Sequence, residues 1–200
     1  MNRGTLFLVV GPSGVGKDTL IHGARERLGP SGRYVFAQRV ITREVQPGGE
    51  PHRPVSAEVF AAMERNQEFL QTWVAHGFHY GLPAALRHEL EMGRHVVANG
   101  SRTVIRELAA RVPHLTVVQV TSRHSDLAGR LQARHRETEA EIQARLAREV
   151  TLDLPAGVRH LHVHNGTTVE AGVARFVEAL VSGHEEALTS RTAETDRRTP

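Results

Sequence analysis

The residues that most restrict this chain are GPSGVGKD, 11–18, set directly behind the apolar run TLFLVV at 5–10. A buried strand that ends in glycines and reopens as a helix gathers backbone N–H groups at one point. The positive end of the helix stands behind them, so the point attracts anionic oxygens. Gly11, Gly16 and Lys17 match the phosphate-loop pattern G-x-x-x-x-G-K-[ST], in which the lysine reaches the outer phosphates. Gly11, Pro12, Ser13, Gly14, Val15, Gly16, Lys17, Asp18 and Thr19 are therefore the expected cradle for a nucleotide polyphosphate. A plain glycine-rich turn would explain the glycines, but not the order strand, loop, lysine, helix.

The pattern breaks at its last position. A hydroxyl that normally ligates magnesium is replaced by Asp18. The strand expected to carry a second acid, HVVANG at 95–100, ends in Asn99, and no Asp or Glu occurs from Met92 to Arg106. The acid is read as having moved from the strand into the loop. Asp18 then offers a hard oxygen to Mg2+, and Asn99 orients metal-bound water or substrate. The charge of Asp18 is tolerable beside phosphates because the metal and Lys17 offset it.

Composition narrows the class. Two hundred residues suit one domain, and the absence of cysteine excludes disulfides and thiolate chemistry. The start, MNRGTLFLVVG, lacks the features of a signal peptide, and no apolar run reaches spanning length. A cytoplasmic protein without membrane partners is expected. Arginine supplies nearly all the positive charge, yet the net charge is only +3. With few aromatics, and acids interleaved among the arginines, no nucleic-acid partner is expected. Oligomeric state is not legible.

The remaining elements follow from periodicity and breakers. Strands are expected at 5–10, 34–42, 69–75, 95–100, 115–121 and 160–165. Helices are expected at 16–28, at 57–66 behind Ser56 as N-cap, from about Pro83, at 101–111, and from 169 with apolar residues at 169, 173, 176, 177, 180 and 181. Residues 126–150 read as polar helix, broken near 135–137 and restarted by the capping box TEAE at 138–141. Alternating strands and helices imply an α/β protein, a parallel sheet with helices on both faces. The expected core is 1–43 and 94–183, with an inserted segment at 44–93, a lid at about 130–145 and a flexible polar tail at 184–200. His160, His162 and His164 alternate along one strand, which reads as the half-exposed face of an end strand rather than a zinc site. Trp73 reads as core or pocket wall. Asn165 and Gly166 border an adenine or form only a turn.

The segments GPSGVGK, TR at 42–43, GGE at 48–50, YG at 80–81 and RLQARHRETEAEIQARL resemble the guanylate kinase family, in order, over roughly 5–180. The chain departs from that family at Gln46, where it has a second arginine, and at Gln71, where it has a glutamate that reads guanine. It departs again at Leu82, where the family has a hydroxyl, and at Asn99, where the family has the strand acid. The combination GKD, TR…GGE.H and VVANGSR resembles instead a sister family, the ribose 1,5-bisphosphate phosphokinases of phosphonate utilisation.

That resemblance implies a P-loop NTPase of the nucleoside monophosphate kinase type, with ATP and Mg2+ as cofactors and a phosphorylated sugar as partner. The implied reaction moves the γ-phosphoryl group of ATP to the 1-phosphate of ribose 1,5-bisphosphate. It gives 5-phosphoribosyl 1-diphosphate and ADP. Arg43 and Tyr80 would hold one acceptor phosphate, with Arg39 and Arg102 on the other and Arg53 as a further candidate. Glu50 would accept hydrogen bonds from sugar hydroxyls. Arg130, which meets the nucleotide, and Arg134 and Arg145, which meet the migrating group, match the family's lid spacing, and Arg136 lies beside them. The rivals are a nucleoside monophosphate kinase with altered base choice, a kinase of another small polyol or phosphonate intermediate, and a guanylate-kinase-like binding module without catalysis.

Overall fold

The computed structural model describes residues 4–45, 50–122, 152–166 and 168–196, with 184–196 as backbone alone. The strands are β1 (Leu6–Val10), β2 (Tyr34–Phe36), β3 (Val40–Ile41), β4 (Arg53–Pro54), β5 (Phe69–Ala75), β6 (Phe78–Pro83), β7 (His95–Asn99), β8 (Leu115–Thr121) and β9 (Arg159–His164). The helices are α1 (Lys17–Leu28), α2 (Ala57–Arg65), α3 (Leu86–Glu91), α4 (Ile105–Arg111) and α5 (Val169–Asp196).

The main sheet runs β2-β7-β1-β8-β9, with every pairing parallel. β1 is central and all five of its residues are buried. A strand covered on both faces cannot alternate apolar with polar, and hence LFLVV is a continuous apolar run. Its residues divide between two cores. Leu6, Leu8 and Val10 pack with Leu86 and Leu90 of α3 and Ile105 and Leu108 of α4. Phe7 and Val9 pack with Leu20 and Ala24 of α1 and Phe176 and Leu180 of α5. The expected sheet with helices on both faces is present.

A second sheet, β4-β3-β6-β5, rises from the first. Two of its strands differ from expectation. The run 34–42 is split: β2 pairs with β7 in the main sheet, whereas β3 pairs antiparallel with β6. The inserted segment thus begins before residue 44. HGFHYG is not a plain connection, because residues 78–83 form β6, which folds back on β5 as a hairpin. The turn needs left-handed backbone at His76 (φ 52°) and Gly77 (φ 76°), the twist that matches a two-residue hairpin. Pro83 closes β6, so α3 starts at Leu86 rather than at the proline.

By alternation, Arg39, Ile41 and Arg43 share the face of β3 on which Ile41 meets Tyr80, and Tyr80 meets Trp73. Val40 is on the other face, covered with Phe69 by Phe60 and Met63 of α2. The arginines are therefore left toward the main sheet, where Ile41, Trp73 and Tyr80 join its core. Ser56 caps α2 as expected, its Oγ accepting from the Val59 N–H at 3.2 Å. The last helix continues to Asp196, past the Gly183 end expected from composition. Among the described residues no helix is long and apolar enough to cross a membrane.

Candidate active site

β1 and β7 are neighbours with Val9 opposite Asn99. The glycine loop and the end of β7 therefore emerge side by side. Glycines carry the loop: φ is 150° at Gly11, 84° at Gly14 and 94° at Gly16, the residue before α1. A Cβ at Gly11 would stand 2.4 Å from the Val120 carbonyl oxygen, so no other residue fits there. Asn165, buried at the end of β9, donates its amide to the Val15 carbonyl at 2.7 Å. Of the two sequence readings of Asn165, neither anticipated this tie between the last strand and the loop.

Asp18 lies in the first turn of α1, exposed beside the loop. Asn99 donates from Nδ2 to Asp18 Oδ1 at 2.7 Å. A carboxylate only accepts, which fixes the orientation of the amide. The pair keeps Asp18 Oδ2 and Asn99 Oδ1 as hard oxygens beside the phosphate loop. That donor set fits magnesium, which takes one or two protein oxygens and completes its shell with phosphates and water.

The Lys17 ammonium folds back on the loop and donates to the carbonyls of Gly11 (2.9 Å) and Pro12 (3.0 Å). Burial pushes Lys17 down to about 8. Asp18 and then Glu50 oppose the shift, while Arg39 and Arg102 add to it. Groups from the loop, the second sheet and the turn after β7 thus act on one ammonium. Partial burial also lowers Arg102.

On the second sheet, Arg39 is buried and forms a two-point pair with Glu50. Nε donates to Oε1 at 2.8 Å, and Nη2 donates to Oε2. Its guanidinium lies 5.1 Å from the Tyr80 ring centre and 5.9 Å from that of Trp73. The two rings are stacked 5.5 Å apart at 6°. Arg39 and Glu50, expected to take a phosphate and sugar hydroxyls separately, are here joined to each other. Trp73 is part of the buried core, with the Arg39 guanidinium over its ring. Arg43 lies 5.9 Å from the Phe78 ring, and its buried Nε has no hydrogen-bond partner among the described residues. A buried Nε with no partner among the described residues fits an anionic ligand. Arg53, on β4, is exposed. The expected lid residues Arg130, Arg134, Arg136 and Arg145 lie outside the described residues.

Gln71 is buried and committed within the protein. It donates to Glu107 Oε2 at 2.6 Å and to the Thr72 carbonyl at 3.0 Å, and it accepts from Arg111 at 3.4 Å. The histidines of β9 stay on an edge strand: His160 bonds Gln119 at 2.9 Å and His162 bonds Thr121 at 2.8 Å.

A protein from Acidiphilium cryptum named ribose 1,5-bisphosphate phosphokinase PhnN is 46% identical over 178 residues, 89% of this chain and 93% of that one. The chain belongs to the ribose 1,5-bisphosphate phosphokinase family. A second member, from Rhizobium etli, is 49% identical over 146 residues, covering 73% of this chain and 74% of its own length. The family domain also occurs inside longer proteins. A bifunctional ribose 1,5-bisphosphokinase-thymidine phosphorylase from Cupriavidus necator is 53% identical over 190 residues, 95% of this chain but 31% of that protein. The chain thus spans about a third of the length of the bifunctional relatives it matches. No protein-family model matches the sequence.

Among solved structures, guanylate kinase from Anaplasma phagocytophilum superposes with a TM-score of 0.65 at 15% identity, covering 91% of this chain and 87% of that one. A gluconokinase from Sinorhizobium meliloti gives 0.54 at 20%, covering 94% and 98%. These two share the fold, that of P-loop kinases.

Proposed function

We propose that this chain transfers the γ-phosphoryl group of ATP to the 1-phosphate of ribose 1,5-bisphosphate, a reading supported by relatives named ribose 1,5-bisphosphate phosphokinase. The observation that carries the reading is the phosphate loop with Lys17 and the Asp18–Asn99 pair, beside a second sheet that brings the Arg39–Glu50 pair and the Arg43 Nε. The nucleotide loop and the acceptor-side residues Arg39, Glu50 and Arg102 act on the same ammonium. Donor and acceptor phosphates placed at these two walls meet at Lys17.

In the transfer, an oxygen of the acceptor 1-phosphate forms a bond to the γ-phosphorus. The bond from that phosphorus to the β,γ-bridging oxygen breaks, and its electron pair leaves with ADP. The nucleophile is already anionic, so no general base is needed, and catalysis is positioning and charge stabilisation. Lys17 exchanges its two loop carbonyls for phosphate oxygens. Arg43 spends its free Nε on an acceptor phosphate above Phe78, beside Tyr80. Asp18, aligned by Asn99, is the residue that would hold magnesium, which when bound offsets charge on the β- and γ-phosphates. Arg130, Arg134 and Arg145 would close over the site, and losing one that acts as a finger would cost about 10³ in rate. A nucleotide donor supports a cytoplasmic location for the reaction.

The test is ADP release with a panel of acceptors. Turnover is expected with ribose 1,5-bisphosphate and not with GMP or other nucleoside monophosphates. Robust turnover of GMP with none of the pentose bisphosphate would overturn the reading.

A further inference from the structure

His52, two residues after Glu50, is only 4% exposed. Its two ring nitrogens face two backbone carbonyls. Nδ1 lies 2.9 Å from the oxygen of Glu50, and Nε2 lies 2.8 Å from the oxygen of Arg43. A carbonyl only accepts, so each contact is a hydrogen bond only where the ring nitrogen carries a proton. A neutral imidazole has one such proton and an imidazolium has two. The ring thus sits between the two carbonyls, and its tautomer sets which nitrogen donates. The residue after His52 is separately anchored, because the Arg53 N–H donates to the Arg39 carbonyl at 2.8 Å.

These contacts converge on the acceptor wall. Arg43 carries the unspent buried Nε, and Glu50 fixes the plane of the Arg39 guanidinium over Tyr80 and Trp73. A long arginine side chain presents a donor at one point only when its own backbone is held, since otherwise the entropy of its rotamers opposes the contact. The geometry points to His52 as a positioning residue of the acceptor site: seated between the two carbonyls, its ring holds the backbone of Arg43 to that of Glu50, and through them sets the guanidinium groups of Arg43 and Arg39. The inference rests on the proposed function. The hydrogen bonds that His52 makes among the described residues go to backbone carbonyls of the acceptor wall, so its effect falls first on acceptor binding.

The experiment is steady-state kinetics with both substrates varied, for the wild type and for His52→Ala, His52→Leu and His52→Gln. Leucine keeps bulk without donors, and glutamine keeps a donor toward one carbonyl. The KM for ribose 1,5-bisphosphate is expected to rise on the order of 10- to 100-fold with alanine and leucine, and less with glutamine. The KM for ATP should stay within about twofold. A leucine variant that restores the acceptor KM, or an equal rise in both KM values, would overturn the inference. Should a variant fail to fold, imidazole ¹⁵N spectra of the wild-type protein under assay conditions decide instead. A ring N–H of His52 hydrogen-bonded to a backbone carbonyl is expected, and a ring with neither nitrogen so bonded overturns the clamp. A wild-type protein that does not turn over ribose 1,5-bisphosphate would sink the functional reading, and the ring spectrum would still decide the clamp.

Discussion

Asn99, the last residue of β7, donates its amide to the Asp18 carboxylate at 2.7 Å across 81 positions of sequence. The strand supplies the orienting amide and the loop supplies the acid. Without a cation, Asp18 repels the phosphates that the loop is built to hold. An Asp18→Asn variant should therefore bind ATP more tightly than the wild type in the presence of a chelator. Adding magnesium should improve its affinity about tenfold less than it improves the wild type's. Titration calorimetry of both proteins with and without magnesium measures this, and an unchanged metal dependence would reject the role of Asp18.

The same pair predicts that Asn99→Ala lowers kcat. A hydrogen bond to a charged group contributes about 1.5–3 kcal/mol, or about 10- to 100-fold in rate if it acts in the transition state. Asn99→Asp should be worse than alanine, because it places a second carboxylate 2.7 Å from the first. Rate constants at saturating magnesium check the order wild type, alanine, aspartate.

Arg43 and Arg39 lie on one face of β3, yet they should respond differently to removal. Arg43→Gln removes the guanidinium whose Nε lacks a partner among the described residues. It should raise the acceptor KM by about 10- to 100-fold with little change in stability. Arg39→Gln strands the Glu50 carboxylate in a half-buried position. It should lower stability as well, by about 3 kcal/mol or more where the pair is fully desolvated. Thermal melts beside acceptor kinetics separate the two. An equal loss of stability in both variants would contradict the assignment.

How much of this was legible follows from range. β1, β7 and β8 show in the sequence because strands of a parallel sheet buried on both faces must be apolar runs, and β9 shows by the alternation of a half-exposed edge strand. The loop shows because its geometry demands glycine. Asp18 and Asn99 were legible together because one departs from the loop pattern and the other ends a neighbouring strand. The division of 34–42 was not, since both halves have strand composition and only pairing with β7 or β6 distinguishes them. The β5–β6 hairpin hid behind His76, which takes a left-handed conformation usually marked by Asn or Gly. Gln71 with Glu107, and Arg39 with Glu50, are side-chain pairings made by tertiary placement. No local periodicity encodes them.

Asn165 ties β9 to the phosphate loop through the Val15 carbonyl. Asn165→Ala should remove this hydrogen bond and cost about 0.5–1.5 kcal/mol, with weakened ATP binding alongside. Asn165→Asp should be worse, because a carboxylate would face a carbonyl oxygen that can only accept. Denaturant midpoints and ATP affinity for the three proteins check this. A fully stable aspartate variant would mean that the tie does not hold the loop.

Lys17 is the sole lysine of the chain, so its titration can be followed without overlap from other lysine side chains. Burial lowers it from 10.5 to about 8. Between these two values the unfolded chain binds the proton and the folded protein does not, so this group makes stability rise with pH across that window. Below pH 8 both states are protonated and the folded protein carries the full cost, at most about 3 kcal/mol. Lys17→Met should therefore abolish transfer yet raise the stability of the nucleotide-free protein at pH 7, and the gain should shrink as pH approaches 10.5. Function runs the other way. The ammonium is the form that attracts phosphate, so ATP binding to the free enzyme should weaken as pH rises through about 8. ¹³C-methylated Lys17, titrated by NMR beside denaturant melts of the methionine variant, tests both signs at once. A side chain that titrates at the ordinary lysine value would remove the strain and with it the expected gain in stability.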